Sequence, residues 1–398
     1  MNAEESLNEL KGLEARYAMS TYRRFPVEFV RGQGSRLWDA DGNEYIDFFT
    51  GLAVHNLGHS HPAIVAAITE QAGRFMGSSN LYYSRPAMEL SRALAESFEA
   101  GGGAEAKVFL CNSGTEASEC AIKLVRKHAH RRGAGPPNIV SLSGGFHGRT
   151  VGALSATPKM AREDLFGALP AGFITVDRDD PEALRAAVDD RTAAIFIEPI
   201  QGEAGIFPIS EEVILAAREA ATEVGAALVF DEVQTGVGRT GSMWAFEQLG
   251  VVPDVITSAK ALGGGLPVGA CVAGGEFAEV FEPGDHGSTF AGGPLGAAAA
   301  LATLGEIDDD LLASVRENGA WLRDRLAGID GVVEVRGSGM MVGVTLAEGI
   351  DAMAVVTELL HKGLVLNCPG PRMLRLLPAL NIPREDLEAG TALIESTL

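Results

Sequence analysis

Lys260 is one of only seven lysines in a chain of 398 residues. It closes the strand-like run 254–259 and stands just ahead of three glycines at 263–265, where the backbone can pass close to a ligand. A free lysine amine, with a reference pKa of about 10.4, is protonated and poorly nucleophilic at neutral pH. Joined to an aldehyde as an imine it is activated, and once released it is a base that can move a proton at carbon; a surface lysine at a strand end would share this local sequence. Asp231 follows the apolar run 226–230, and a carboxylate at the mouth of a buried strand is costly unless a cation meets it. A protonated pyridine nitrogen would serve and would make its ring an electron sink, although a cap or an ion pair would also account for the aspartate. Gln234, three residues on, is spaced to donate to a hydroxyl on such a ring.

Residues 107–126 read as a strand, a tight turn and an amphipathic helix, with Ala117, Ala121, Leu124 and Val125 on one face and Ser113 or Thr115 able to cap the start. The free N–H groups of a helix start bind a phosphate dianion without a lysine, and an ordinary capped helix has the same signature. The GxxxxGK[ST] spacing of a nucleotide-binding P-loop is missing. Residues 107–273 alternate short apolar runs with helix-like stretches, the pattern of an α/β domain with a largely parallel sheet. Strands are expected at 108–111, 139–142, 193–197, 226–230 and 255–257. Several end in polar residues, Asn112 and Ser113, Glu198, Asp231 and Glu232, then Lys260. Ligands in open α/β sheets gather beyond the carboxyl ends of the strands, so these endings should share one crevice. Around Asp41-Gly42-Asn43 a hairpin is expected over 35–46. Beyond 297 come an Ala-rich helix, a second helix through Trp321 and Leu326, and a strand at 332–335. The division read from this is an N-terminal segment 1–50 packing with a small domain, a large domain 51–296 and a small C-terminal domain 297–398.

Length predicts about two domains. The hydrophobic share of 46% and charged share of 21% are those of a globular chain, and the net charge of −21 would repel phosphate backbones and anionic lipid, so neither nucleic acid nor membrane is an expected partner. Cys111, Cys120, Cys271 and Cys368 are scattered without a CxxC pair, which indicates neither zinc nor a disulfide framework. The acidic first twenty residues lack the apolar core of a secretory signal, and no apolar run reaches the ~20 residues needed to cross a bilayer. A cytoplasmic location is expected. His55, His59 and His61 cluster, but no carboxylate or cysteine ligand set accompanies them in sequence, so capping or core hydrogen bonding is the expected use and no metal is expected. Gly337, Gly339 and Gly343 have the wrong spacing for a dinucleotide fingerprint.

These segments together resemble the class III pyridoxal-phosphate-dependent aminotransferases, most closely the acetylornithine aminotransferases. The likeness runs from Leu37-Trp-Asp-Ala-Asp-Gly-Asn-Glu-Tyr-Ile-Asp47 through Asn56-Leu-Gly-His59, Ser79-Asn-Leu-Tyr-Tyr83, Asn112-Ser-Gly-Thr-Glu116 and Phe146-His-Gly-Arg-Thr150. It continues through Glu198-Pro-Ile-Gln-Gly-Glu203, Phe230-Asp-Glu-Val-Gln-Thr-Gly236, His286-Gly-Ser-Thr-Phe290 and Leu374-Arg-Leu-Leu-Pro378. The resemblance implies the aspartate-aminotransferase-like fold (fold type I), α/β with a seven-stranded mixed sheet and a smaller C-terminal α/β domain, and pyridoxal 5'-phosphate as cofactor. It implies that Gly114 and Thr115 bind the phosphate, that Phe146 stacks on the ring and Val233 covers its other face. Asp231 would pair with the ring nitrogen, Gln234 reach the ring hydroxyl, and Lys260 be the Schiff-base residue. Thr289 would reach the phosphate of the neighbouring subunit, with Ser288 near the substrate, in a homodimer with shared active sites.

For substrate, Arg149 resembles a carboxylate clamp, since a guanidinium grips carboxylate bidentately. Arg375 resembles a second clamp, for 2-oxoglutarate, and Glu203 the acid that shields it while the donor is bound. The implied reaction transfers the terminal amino group of N2-acetyl-L-ornithine to 2-oxoglutarate, in arginine biosynthesis; ornithine, succinyl-diaminopimelate and 4-aminobutyrate are the alternative donors. The chain departs from the common pattern at Ser118, Ala261, Ala291 and Gly293, and over the stretch 155–159, which is two residues short. These positions border the substrate and dimer regions.

Overall fold

The computed structural model describes residues 3–158 and 163–398, so Lys159, at the end of the shortened stretch, lies outside the described residues. Its centre is a seven-stranded sheet in the order Ala106–Cys111, Gly269–Gly274, Val255–Ser258, Ala227–Asp231, Thr192–Ile197, Asn138–Leu142, Phe173–Val176. Gly269–Gly274 runs antiparallel to both neighbours, and the remaining pairs are parallel. The three strands from Thr192, Ala227 and Gly269 are buried along their whole length, as expected where helices cover both faces of a sheet. All five expected strands are present, shifted by a residue or two at their ends.

Two strands of this sheet escaped the sequence reading. Phe173–Val176 has only four residues. Gly269–Gly274 is built of Gly, Ala, Cys and Val, a composition that β-propensity does not favour. Its small residues answer a packing demand, because a Cβ at Gly269 would lie 2.7 Å from the carbonyl oxygen of Ser113.

Smaller sheets flank this core. Arg36–Asp39 pairs antiparallel with Glu44–Asp47 as the expected hairpin, Leu37 opposite Tyr45. The turn is held by Asp39, which accepts from the N–H groups of Asp41 and Asn43 at 3.0 and 2.8 Å. Asp47 and Ile46 then pair in parallel with Val365 and Leu364, a pairing without local sequence signal because the partners lie over 300 residues apart. The helices Pro294–Gly305 and Asp309–Ala327 lead into a four-stranded sheet that contains Val332–Ser338 and Met373–Leu376.

Arg239 joins these parts. It is fully buried and donates to the carbonyls of Met340 (3.0 Å) and Pro378 and to the side chain of Asn56. Burial pushes its pKa down to about 9. His59 bonds through Nε2 to Asp47 at 2.7 Å, so the carboxylate missing from the local sequence arrives from the hairpin.

Candidate active site

A cavity of about 460 Å³ opens beyond the carboxyl ends of the parallel strands, lined among others by Asn112 to Thr115, Phe146 to Arg149, Glu198, Glu203, Asp231, Val233, Gln234 and Lys260. The strand endings singled out from sequence therefore converge with one exception, Glu232, which turns away to Thr235 and Phe246. Lys260 stands two residues past Val255–Ser258, at the start of a short 3₁₀ turn, with φ of 48°. A left-handed backbone at a non-glycine residue is strained, and such strain collects at functional sites. Burial pushes its ammonium pKa down; the Glu203 carboxylate opposes this and the Arg375 guanidinium adds to it.

Asp231 ends a strand that is buried throughout. Its Oδ2 lies 2.8 Å from Nδ1 of His147, and Oδ1 accepts from the N–H of Val233 at 3.1 Å. His147 itself is buried and stacks on Phe196 with ring centroids 4.3 Å apart. The histidine thus orients the carboxylate. The sequence reading missed this role, although His147 stood inside a quoted motif.

The helix Gly114–Arg131 begins at the cavity wall, capped by Ser113, whose Oγ accepts from Glu116 N–H at 3.3 Å. Gly114 is hemmed in, since a Cβ there would approach Val233 Cγ1 to 2.9 Å. The Thr115 hydroxyl accepts from the N–H groups of Arg149 and Thr150 at 3.2 and 3.3 Å, tying the helix start to the loop that carries Phe146 and Arg149. Arg149 reaches over the Phe146 ring, with its guanidinium carbon 5.4 Å from the centroid.

Arg375 is 2% exposed. It donates to Asn367 Oδ1 at 2.8 Å, to the Gly202 carbonyl at 3.1 Å and to Glu203 Oε1 at 2.6 Å. Burial raises the Glu203 pKa, but Arg375 outweighs it and holds this carboxyl below the ordinary range. Asn367 carried no signal in sequence. Glu198 did, as a strand ending: Oε1 accepts from Phe146 N–H at 2.8 Å and Oε2 from Gly202 N–H at 3.1 Å. Burial, opposed by His147 and reinforced by Asp231, pushes its pKa up to about 7.

Ser288 Oγ accepts from Asn112 Nδ2 at 3.0 Å at the cavity edge. Thr289 is exposed and does not line the cavity within its own chain.

The profile of the family Aminotransferase class-III matches residues 17–398. The chain belongs to the class III aminotransferases. Among relatives of this aminotransferase, the acetylornithine aminotransferase of Methanopyrus kandleri is 46% identical over 385 residues, 96% of this chain and 97% of its own. That of Caldanaerobacter subterraneus subsp. tengcongensis is 44% identical over 391 residues, 97% of this chain and 98% of its own. The solved ornithine aminotransferase of Toxoplasma gondii superimposes with a TM-score of 0.91 at 32% identity, covering 98% of this chain and 94% of that one. The N-acetylornithine aminotransferase of Stenotrophomonas maltophilia K279a does so at 0.83 and 37% identity, covering 97% of each. The aminotransferase thus has the fold type I architecture that the resemblance implied, a mixed seven-stranded sheet between helices.

Proposed function

We propose that this class III aminotransferase uses pyridoxal 5'-phosphate, held through Lys260, to move the terminal amino group of N2-acetyl-L-ornithine to 2-oxoglutarate, giving N-acetylglutamate 5-semialdehyde and glutamate. The observation that carries this reading is the placing of two guanidinium groups about one lysine-bearing cavity, Arg149 lining it and Arg375 held behind the lining residue Glu203, which masks it. A dicarboxylate acceptor needs both, and a donor with one carboxylate needs only one. The donor's acylated amine asks for no counter-charge, and the lining carboxylates are all engaged: Asp231 by His147, Glu203 by Arg375, Glu198 by two backbone N–H groups. Free ornithine would bring a second ammonium with no such acid left to meet it.

The residues fit the cofactor. Asp231 offers a buried, His147-oriented carboxylate to a ring nitrogen, and Phe146 and Val233 supply the two faces of a slot. Among the described residues Gln234 Oε1 is buried without a hydrogen-bond partner, so it can accept from a neighbouring ring hydroxyl, the reverse of the donation expected from sequence. The cradle around Gly114, with Thr115, suits a phosphate. When bound, the cofactor supplies an aldehyde to receive the amino group and a ring to disperse charge at the carbon that loses its proton. Lys260 moves that proton, and burial pushes its ammonium pKa down, toward the neutral amine that a base must be.

We also read the enzyme as a cytoplasmic homodimer. Among the described residues no helix is long and apolar enough to cross a membrane. Leu81, Tyr82, Tyr83 and Phe290 are strongly exposed, and Asn80 donates to the carbonyls of Ser288 and Ala291 at 3.2 and 3.0 Å, so this apolar surface borders Thr289. A second copy covering it would bring Thr289, beside Ser288, to the neighbouring cofactor's phosphate.

The decisive measurement compares rates with acetylornithine, ornithine, succinyl-diaminopimelate and 4-aminobutyrate, each against 2-oxoglutarate. Acetylornithine should have the highest kcat/KM, and a higher value for any other donor overturns the substrate. Borohydride reduction and peptide mapping should place the label on Lys260; a label on another lysine would sink its assignment.

A further inference from the structure

We propose that Glu198 is a positioning residue that sets the Glu203–Arg375 pair, mounting this gate and the Phe146 wall of the pocket on one carboxylate. The inference rests on the reading of Arg375 as the clamp for the acceptor's second carboxylate.

Glu198 follows the strand Thr192–Ile197 and is 7% exposed. Its two oxygens face two separate segments. Oε1 takes the N–H of Phe146 at 2.8 Å and Oε2 takes the N–H of Gly202 at 3.1 Å. The same Gly202 gives its carbonyl to Arg375 Nη1 at 3.1 Å, and the next residue, Glu203, bonds that same nitrogen at 2.6 Å. Gly202 is thus gripped on its N–H by Glu198 and on its C=O by Arg375, and it has no freedom on its third side: a Cβ there would fall 2.2 Å from Gln234 Oε1. The origin of the Glu203 side chain is therefore fixed by Glu198.

A buried acid is an expensive way to bond two amides. Burial drives its pKa up to about 7 and Asp231 adds to that, against His147 and the two backbone N–H groups, while its charge raises the pKa of Lys260 in turn. Both carboxylate oxygens accept, whereas an amide has one accepting oxygen and would turn its NH₂ toward the other N–H. An acid is the side chain of this size that can hold both segments at once, which is the geometric reason for it here.

The test uses Glu198→Gln, Glu203→Gln and the double variant. Single-turnover half-reactions are followed with acetylornithine and with 2-oxoglutarate. Binding of glutarate, a dicarboxylate without a carbonyl to react, is followed calorimetrically on cofactor-free and loaded protein. Glu198→Gln should reproduce the signature of an unshielded Arg375: roughly tenfold lower kcat/KM for the donor, less than about threefold change for 2-oxoglutarate, and roughly threefold tighter glutarate binding. In the double variant the losses should not multiply, because both changes release the same pair. Equal losses in the two half-reactions, or effects that multiply with Glu203→Gln, overturn the proposal. If wild-type protein turns over none of these substrates, the functional reading has failed. The glutarate titrations then decide this inference alone: non-multiplying gains support it and independent ones overturn it. Should Glu198→Gln not fold, Glu198→Asp, too short to reach both N–H groups, must give the same signature.

Discussion

Glu232 gives a test that the protein's own acid chemistry can decide. It follows Asp231, is 1% exposed, and accepts from Phe246 N–H at 2.9 Å and from the Thr235 hydroxyl. Despite these donors, burial pushes its pKa from 4.5 up to about 7. The folded chain then binds this proton more tightly than the unfolded chain. The stabilisation is complete below pH ~4.5, declines as pH rises, and is gone above pH ~7. The rise from 4.5 to about 7 corresponds to about 3 kcal/mol, of which about 2 kcal/mol falls between pH 5.5 and 8. With an unfolding entropy of roughly 2.1 cal/mol/K per residue, hence about 0.8 kcal/mol/K for this chain, 2 kcal/mol corresponds to roughly 2–3 °C in Tm. Glu232→Gln keeps a neutral hydrogen-bonding group there and has nothing to ionise. The Tm of the variant minus that of wild type should therefore rise by about 2–3 °C from pH 5.5 to pH 8, measured by scanning calorimetry on cofactor-free protein. Glu198 titrates alike in both proteins and cancels. A difference that stays constant with pH would refute the reasoning.

Two further outcomes bear on the site. Arg375→Ala should weaken the 2-oxoglutarate half-reaction by about tenfold to a hundredfold, the loss of one charge-assisted bidentate contact, and single-turnover kinetics showing an equal loss with acetylornithine would contradict the division of labour between the arginines. Mixing Lys260→Ala chains with Thr289→Ala chains, each impaired alone, should restore some activity, because a mixed dimer would hold one site with both lesions and one with neither; no recovery after verified subunit exchange removes the shared site.

Much of this protein could be read locally. Lys260, Asp231 and the Ser113 cap were legible because each interrupts an apolar run, and a polar residue at the end of a buried strand must have a partner. What escaped was non-local or compositionally quiet. Asn367 meets Arg375 across antiparallel strands, a relation that only the register reveals. Asp47 reaches His59 through the hairpin, and the pairing of Ile46 with Leu364 depends on loop closure over most of the chain. Gly269–Gly274 hid because its small residues serve close packing. His147 shows the reverse case: its motif was seen, but its hydrogen bond to Asp231 follows from where two strands end.

The order of the central sheet also has a consequence in time. Ala106–Cys111 is an edge strand whose sole sheet partner among the described residues is Gly269–Gly274, with Cys111 opposite Gly269. About 160 residues separate them, so at a synthesis rate of roughly 5–20 residues per second the edge waits some 8–32 s on the ribosome before it can pair. An apolar edge exposed that long invites pairing with another nascent chain. The helix Arg85–Ala100, which packs against this strand, is made first and can cover one face of it while it waits.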